Sequence, residues 1–125
     1  MLSVAATSNT PAIEFDSSIG VLSISGKSIA EDSQEFYRPL IEALKEYKAK
    51  PHLQTTVNLK LNYFNTSSSK SILDVLRLIE SLKENSEVII NWFYEKEDED
   101  MLEVGEDYCE IVNLPFRMVE VDNLY

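Results

Sequence analysis

The fold is decided at Tyr63-Phe64-Asn65-Thr66-Ser67-Ser68-Ser69-Lys70, where a strand pattern gives way to a helix pattern. Four consecutive hydroxyl residues, Thr66 to Ser69, follow Asn65 directly. A hydroxyl or an Asn before a helix is typical of an N-cap, because its oxygen accepts a backbone N–H that the first turn leaves unpaired. One residue is enough for that role, so the other hydroxyls need a separate explanation.

Two interpretations of the extra hydroxyls stay open from the residues alone. The first is an over-supplied cap in a solvated loop, in which Ser67 or Ser68 bonds the helix end. The second is a phosphorylation site, because free N–H groups and the positive end of the helix dipole favour a phosphate at this place. Both predict that the segment is accessible at the surface.

The flanks of this segment carry opposite periodicities. Apolar residues alternate with polar ones from Val57 to Tyr63, which predicts a strand over 53–64. Apolar residues recur every three or four positions from Ile72 to Leu82, which predicts a helix over 68–83. A strand that feeds directly into a helix indicates a βαβ crossover.

The same patterns extend over the rest of the chain. They predict strands over 11–16, 21–25, 87–94 and 116–121, and helices over 32–48 and 101–112. The strand over 87–94 is almost continuously apolar, which predicts burial on both faces. The order is therefore ββαβαβαβ, an α/β fold with a mixed sheet, right-handed crossovers and helices on at least one face. The predicted core includes Ile13, Phe15, Leu22, Ile24, Val57, Leu59, Ile89 and Trp92.

The length predicts one domain. Residues 11–125 supply enough apolar side chains for a single core, whereas 1–10 are small and polar and are predicted to be a flexible N-terminus. No apolar run approaches the roughly 20 residues of a membrane helix, so no membrane insertion is expected. The start lacks the features of a signal peptide, so the cytoplasm is the expected location.

The charge is strongly acidic and unevenly distributed. The chain has 22 acidic and 11 basic residues, net −11, and nine of the acids fall between Glu95 and Glu110. Such a surface repels polyanions, so nucleic acid and anionic membranes are not expected partners. A basic protein surface or a divalent cation remains compatible with it.

Residues that could carry catalysis are scarce. His52 and Cys109 are each the only residue of their type, and three glycines do not make a phosphate-binding loop. The acids from Glu97 to Asp100 could bind Mg²⁺ or Ca²⁺ through oxygen, but their spacing is not that of an EF-hand loop. We therefore predict no catalytic residue, metal or cofactor. A small metal-dependent enzyme that uses the carboxylates from Glu95 to Glu106 stays as an alternative.

The aromatic end of the 87–94 strand stands directly before the acidic segment. An apolar anchor beside a charged rim is typical of partner-binding surfaces. The candidate partner contacts are Tyr63, Trp92, Tyr94, Asp98, Glu99, Asp100 and Met101.

A series of short motifs along residues 10–118 resembles the SiaC-like family of bacterial regulatory phosphoproteins. The most specific ones lie in the segments 63–70 and 92–101. The motifs are Thr10-Pro11, Ile13-Glu14-Phe15-Asp16, Gly26-Lys27-Ser28-Ile29, Phe36-Tyr37 with Pro39, Tyr63-Phe64-Asn65-Thr66-Ser67-Ser68-Ser69-Lys70, Trp92-Phe93-Tyr94, Asp98-Glu99-Asp100-Met101, Gly105-Glu106 and Leu114-Pro115-Phe116.

The resemblance implies a fold and a function. The implied fold is similar to the STAS-type anti-sigma-factor antagonists, and the implied role is not enzymatic. A cognate Ser/Thr kinase would phosphorylate Thr66, with Asn65, Ser67, Ser68, Ser69 and Lys70 as its neighbourhood, and a PP2C-type phosphatase would remove the phosphate. The unphosphorylated form would bind and activate a diguanylate cyclase, raising cyclic-di-GMP and promoting biofilm formation. An anti-sigma-factor antagonist with the same switch and another target is the alternative.

Overall fold

The structure, a computed structural model, describes residues 1–124 and contains one six-stranded sheet with three α-helices. No helix among these residues is both long and apolar enough to cross a bilayer. The elements are β1 Leu2–Val4, β2 Ala12–Asp16, β3 Val21–Ser28, α1 Ser33–Lys48, β4 Gln54–Phe64, α2 Thr66–Glu80, a 3-10 turn Ser81–Glu84, β5 Glu87–Glu95, α3 Glu99–Ile111 and β6 Phe116–Val121.

The strands lie in the sheet in their sequence order. The strands β1, β2 and β3 pair antiparallel, whereas β3, β4, β5 and β6 pair parallel. Each of the three helical crossovers advances by one strand in the same direction, so their common right-handedness places all three helices on one face. The predicted α/β class with a mixed sheet is confirmed.

Two features of the strands differ from the sequence-based expectation. A short strand, β1, precedes the predicted first strand and pairs with β2 through Leu2 and Val4. The strand β5 is not buried on both faces, because Val88, Ile90 and Trp92 are buried while the residues between them are half-buried. The strand β5 is an interior strand of the sheet, but the helices cover only one face of the sheet. Mobility of residues 1–10 stays a prediction.

Two helices, α2 and α3, also begin nearer the N-terminus than expected. The helix α2 begins at Thr66 rather than at Ser68, because the cap is Asn65 and not a serine. The helix α3 begins at Glu99, because Asp98 accepts a hydrogen bond from the Met101 backbone N–H at 3.1 Å. Asn65 and Asp98 each accept a hydrogen bond from a backbone N–H three residues later, so each helix begins two residues earlier than expected.

The core lies between the sheet and the three helices. Of the eight predicted core residues, seven are at most 1% exposed, and Ile89 is half-buried on the other face. The remaining core side chains come mainly from the helices, including Tyr37, Leu40, Leu44, Ile72, Leu76, Ile79 and Tyr108.

We expect Leu44→Ala and Leu76→Ala each to lower the free energy of unfolding by about 2–5 kcal/mol, as truncation of a buried leucine does. Leu44 belongs to α1 and Leu76 to α2, and both side chains are 0% exposed within the core. Urea unfolding measures the change, and Leu53→Ala is the control because Leu53 is 91% exposed. A loss well under 1 kcal/mol at both core positions would contradict this packing.

Candidate functional site

A β-bulge shapes the end of β4 just before the hydroxyl segment. Gly26 of β3 pairs with Leu61 and the next residue, Lys27, pairs with Tyr63, so Asn62 is one extra residue in β4. The extra residue reverses which face the following side chains occupy. Phe64 therefore turns towards the core and packs edge-on against Trp92, with ring centroids 6.5 Å apart. Tyr63 faces solvent and is 56% exposed.

The four hydroxyls that follow have different environments. Ser67 Oγ shares a hydrogen bond of 2.7 Å with Ser33 Oγ at the start of α1. Ser68 is 0% exposed and its Oγ accepts from Ser28 at 2.9 Å. Ser69 Oγ donates to the Thr66 carbonyl at 2.7 Å. The Thr66 hydroxyl is on an exposed residue and makes no hydrogen bond to any part of the chain between residues 1 and 124.

The cap itself comes from Asn65. Its Oδ1 accepts a hydrogen bond from the Ser68 backbone N–H at 2.8 Å. The extra serines are therefore neither additional caps nor free surface hydroxyls. Two of them attach α2 to its neighbours, which the sequence interpretation did not foresee.

A buried hydroxyl network lies beneath Thr66 and joins three elements. Ser71 donates to Ser33 at 3.0 Å, and Ser28 bonds to Tyr37 Oη at 2.7 Å. Burial raises the pKa of Tyr37 to about 12, so its hydroxyl stays protonated. The network holds the starts of α1 and α2 side by side.

The sequence interpretation missed Ser28, Ser33, Ser71 and Tyr37 as parts of this site. One local signal was present: Ser67 and Ser71 are four residues apart and so share a helix face. Their partners on β3 and α1 are distant in sequence, so only the tertiary fold reveals the network.

An acidic rim at the start of α3 borders a groove that lies between this helix and the end of β4. The groove has a volume of about 250 Å³ and its lining includes Tyr63, Phe64, Asp98, Asp100 and Met101. Asp98 is occupied as the cap of α3, whereas Glu99 and Asp100 are exposed. The carboxyl ends of β4 and β5 thus bring the predicted contacts Tyr63, Asp98, Asp100 and Met101 together.

Trp92 does not belong to this surface, contrary to the sequence-based expectation. Its side chain is 1% exposed, and its Nε1 donates to the Met101 carbonyl at 2.9 Å. It packs between Phe64, Tyr108 and Phe116. In this conformation Trp92 has no surface to offer a partner, and it acts as the core contact that supports α3. Tyr94, at the end of β5, is half-buried against the core.

The acidic side chains of this region do not form a cluster of metal ligands. Among residues 1–124, no three His, Cys, Asp or Glu side chains are close enough to hold a metal ion. His52 precedes the first residue of β4, whereas Thr66 follows its last, so the two lie at opposite ends of this strand. Cys109 is half-buried. Burial raises the pKa of the Tyr108 hydroxyl, which donates to the Ser69 carbonyl at 2.8 Å. The site therefore offers an exposed surface for binding, with the unbonded Thr66 hydroxyl at the start of α2.

Comparison with known proteins assigns the chain to a family. The model of the SiaC family, described as regulatory phosphoproteins, matches residues 4–121. The chain belongs to the SiaC family. It is therefore a regulatory protein and not an enzyme.

Relatives of this SiaC-family chain come from Pseudomonas aeruginosa. An uncharacterised protein of strain UCBPP-PA14 is 33% identical over 118 residues, covering 94% of each chain. A crystal structure of SiaC as activator in complex with the diguanylate cyclase SiaD matches with a TM-score of 0.89 and 31% identity, covering 97% of this chain and 100% of that one. A structure of SiaC matches with a TM-score of 0.87 and 30% identity, covering 96% and 98%.

Proposed function

We propose that this SiaC-family chain is a phosphorylation-controlled activator of a diguanylate cyclase in the cytoplasm. The unphosphorylated protein binds the cyclase and raises cyclic-di-GMP, which promotes biofilm formation. A Ser/Thr kinase ends the interaction by phosphorylating Thr66, and a PP2C-type phosphatase restores it. The relative whose complex with a diguanylate cyclase is known shares 31% identity with almost the whole chain, which supports this target over an anti-sigma factor.

The observation that carries the proposal is the difference between Thr66 and its neighbours. The hydroxyls of Ser67, Ser68 and Ser69 are all hydrogen-bonded, and Ser68 is fully buried. A kinase needs an accessible hydroxyl that can reach its phosphoryl donor. Thr66 meets this requirement without the loss of any side-chain hydrogen bond.

The position of Thr66 also suits the product. It is the first residue of α2, where backbone N–H groups and the helix dipole favour negative charge. The first turn of α2 contains no acidic residue that would oppose a phosphate. A phosphate adds about −1.5 to −2 charges. We therefore expect phosphorylation to leave the fold intact and to alter what the surface can bind.

The flanking acidic rim supplies further proposed contacts. Tyr63 offers an exposed ring, and Glu99 and Asp100 offer free carboxylates beside it. Asp98 and Tyr94 lie at the same edge but are partly occupied within the fold. A partner that contacts this rim should present basic side chains to Glu99 and Asp100.

Phosphosite mapping after treatment with the Ser/Thr kinase of the same organism tests this proposal. We expect one phosphate on Thr66, none on Thr66→Ala, and normal incorporation into the matched variant Ser67→Ala. In the same series, only the unphosphorylated protein should stimulate the cyclase. Phosphate on a serine with Thr66 unmodified, or no binding to the cyclase at all, would refute the proposal.

A further inference from the structure

A second groove lies between α1 and α2, on the other side of Thr66 from the acidic rim. Its volume is about 430 Å³ and its lining includes Tyr37, Arg38, Ile41, Lys45, Asp74 and Leu78. Ile41 and Leu78 are both half-buried, although each packs against the core on its inner side. Apolar side chains are thus left partly in water between two helices.

The lining residues repeat with the spacing of a helix-packing seam. On α1 they are Arg38, Ile41 and Lys45, and on α2 they are Ser71, Asp74 and Leu78, in each case at intervals of three and four residues. Rows with this spacing on two neighbouring helices form a surface that a third helix can pack against. The groove is an open seam of that kind.

Charge distinguishes this groove from the rest of the helical face. Helix α1 carries three acidic and three basic residues, and helix α2 carries two of each. Helix α3, in contrast, carries six acidic residues and no basic one. Of the charged residues that line the groove, Arg38 pairs with Glu35 on its own helix and Asp74 is the one acid, while Lys45 makes no ion pair within residues 1–124. A segment with its own carboxylates is repelled by α3 and attracted to the Lys45 side of the groove.

We propose that the groove between α1 and α2 binds an amphipathic helix of the effector. This inference rests on the proposed function and specifies where and how the effector docks. One apolar side chain of that helix fills the space between Ile41 and Leu78, and a flanking carboxylate pairs with Lys45. The partner segment is therefore apolar on one face and acidic at its margin.

The same location explains how Thr66 controls docking. Ser71 lines the groove and lies one helical turn after Ser67, and both bond to Ser33. The end of the groove at Ser71 thus lies about one helical turn beyond the first turn of α2. An acidic helix in the groove approaches Thr66. A phosphate on Thr66 repels the carboxylates of that helix, and the phosphate must also lose water when the helix binds.

Binding of the full-length chain to the intact cyclase, measured by calorimetry for matched charge variants, tests this docking mode. We expect Lys45→Glu to weaken binding at least tenfold and Lys48→Glu to leave it within twofold. Both lysines are exposed in the last turn of α1, so the two changes alter the helix end equally. Thermal unfolding of each variant shows whether the fold is retained.

Methyl NMR of the parent protein supplies a readout that needs no substitution. Adding the cyclase should shift the methyl signals of Ile41 and Leu78 and leave those of Ile111, which is 50% exposed on α3, unchanged. If the two lysine variants weaken binding equally, or if the cyclase binds without shifts at Ile41 and Leu78, the effector does not dock in this groove. The proposed function would still stand. No binding of the parent protein would overturn both.

Discussion

Replacing Thr66 with Glu is expected to weaken binding of the cyclase at least tenfold and to leave the free energy of unfolding unchanged or slightly raised. Tenfold corresponds to about 1.4 kcal/mol. A carboxylate at the first position of α2 interacts favourably with the helix dipole and stabilises the fold by about 0.3–1 kcal/mol. A partner that covers it must instead strip its water, which costs several kcal/mol unless a basic side chain pairs with it. Fold and binding therefore respond in opposite directions.

Thr66→Gln is the matched control for this prediction. Gln has the size of Glu without its charge, so a steric effect would weaken both variants equally. If charge is responsible, Thr66→Gln and Thr66→Ala should bind within about threefold of the parent, and the defect of Thr66→Glu should shrink as salt screens the repulsion. Calorimetry at two salt concentrations measures this. A Glu variant that binds as tightly as the parent would argue against Thr66 as the switch.

Local patterns in the sequence predicted most of the fold. The alternation in β4 and the three-four periodicity of α2 are imposed by burial on one face, so both elements and their order were visible. Asn65 caps α2 and places Thr66 at its start. The expected helix N-terminus is therefore present in this segment, although the helix begins two residues earlier than expected.

Properties that depend on distant residues were not predictable in the same way. Three serines in a row look equivalent in sequence, but Ser28 and Ser33 distinguish them in the fold. Trp92 ends an apolar strand before an acidic segment, which suited either a core or a surface role. The deciding contact is Gly105, whose missing side chain lets α3 approach the indole ring.

Gly105→Ala is accordingly expected to lower the free energy of unfolding by about 1–5 kcal/mol, which is the cost of overpacking and of a lost hydrogen bond together, less about 1 kcal/mol for the better helix propensity of Ala. A Cβ at Gly105 would lie 2.5 Å from Trp92 Cδ1 and 2.6 Å from its Nε1, so the helix or the ring must move. Overpacking of this kind costs about 1–3 kcal/mol. Displacing the ring also endangers the Trp92–Met101 hydrogen bond, and a buried donor left unpaired costs about 1–3 kcal/mol.

A double-mutant cycle with Trp92→Leu separates this contact from a general effect on α3. Removing the indole lowers stability by itself, but it also removes the atoms that the new methyl group would meet. In that background Gly105→Ala should be neutral or stabilising by up to about 1 kcal/mol, because only helix propensity remains. Urea unfolding followed by circular dichroism suits all four proteins, since Trp92 is the only tryptophan. Two results would contradict this contact: Gly105→Ala lowers the free energy of unfolding equally with and without the indole, or it leaves that of the parent unchanged. Either result would show that the close packing of α3 on Trp92 is not what fixes the acidic rim beside Tyr63.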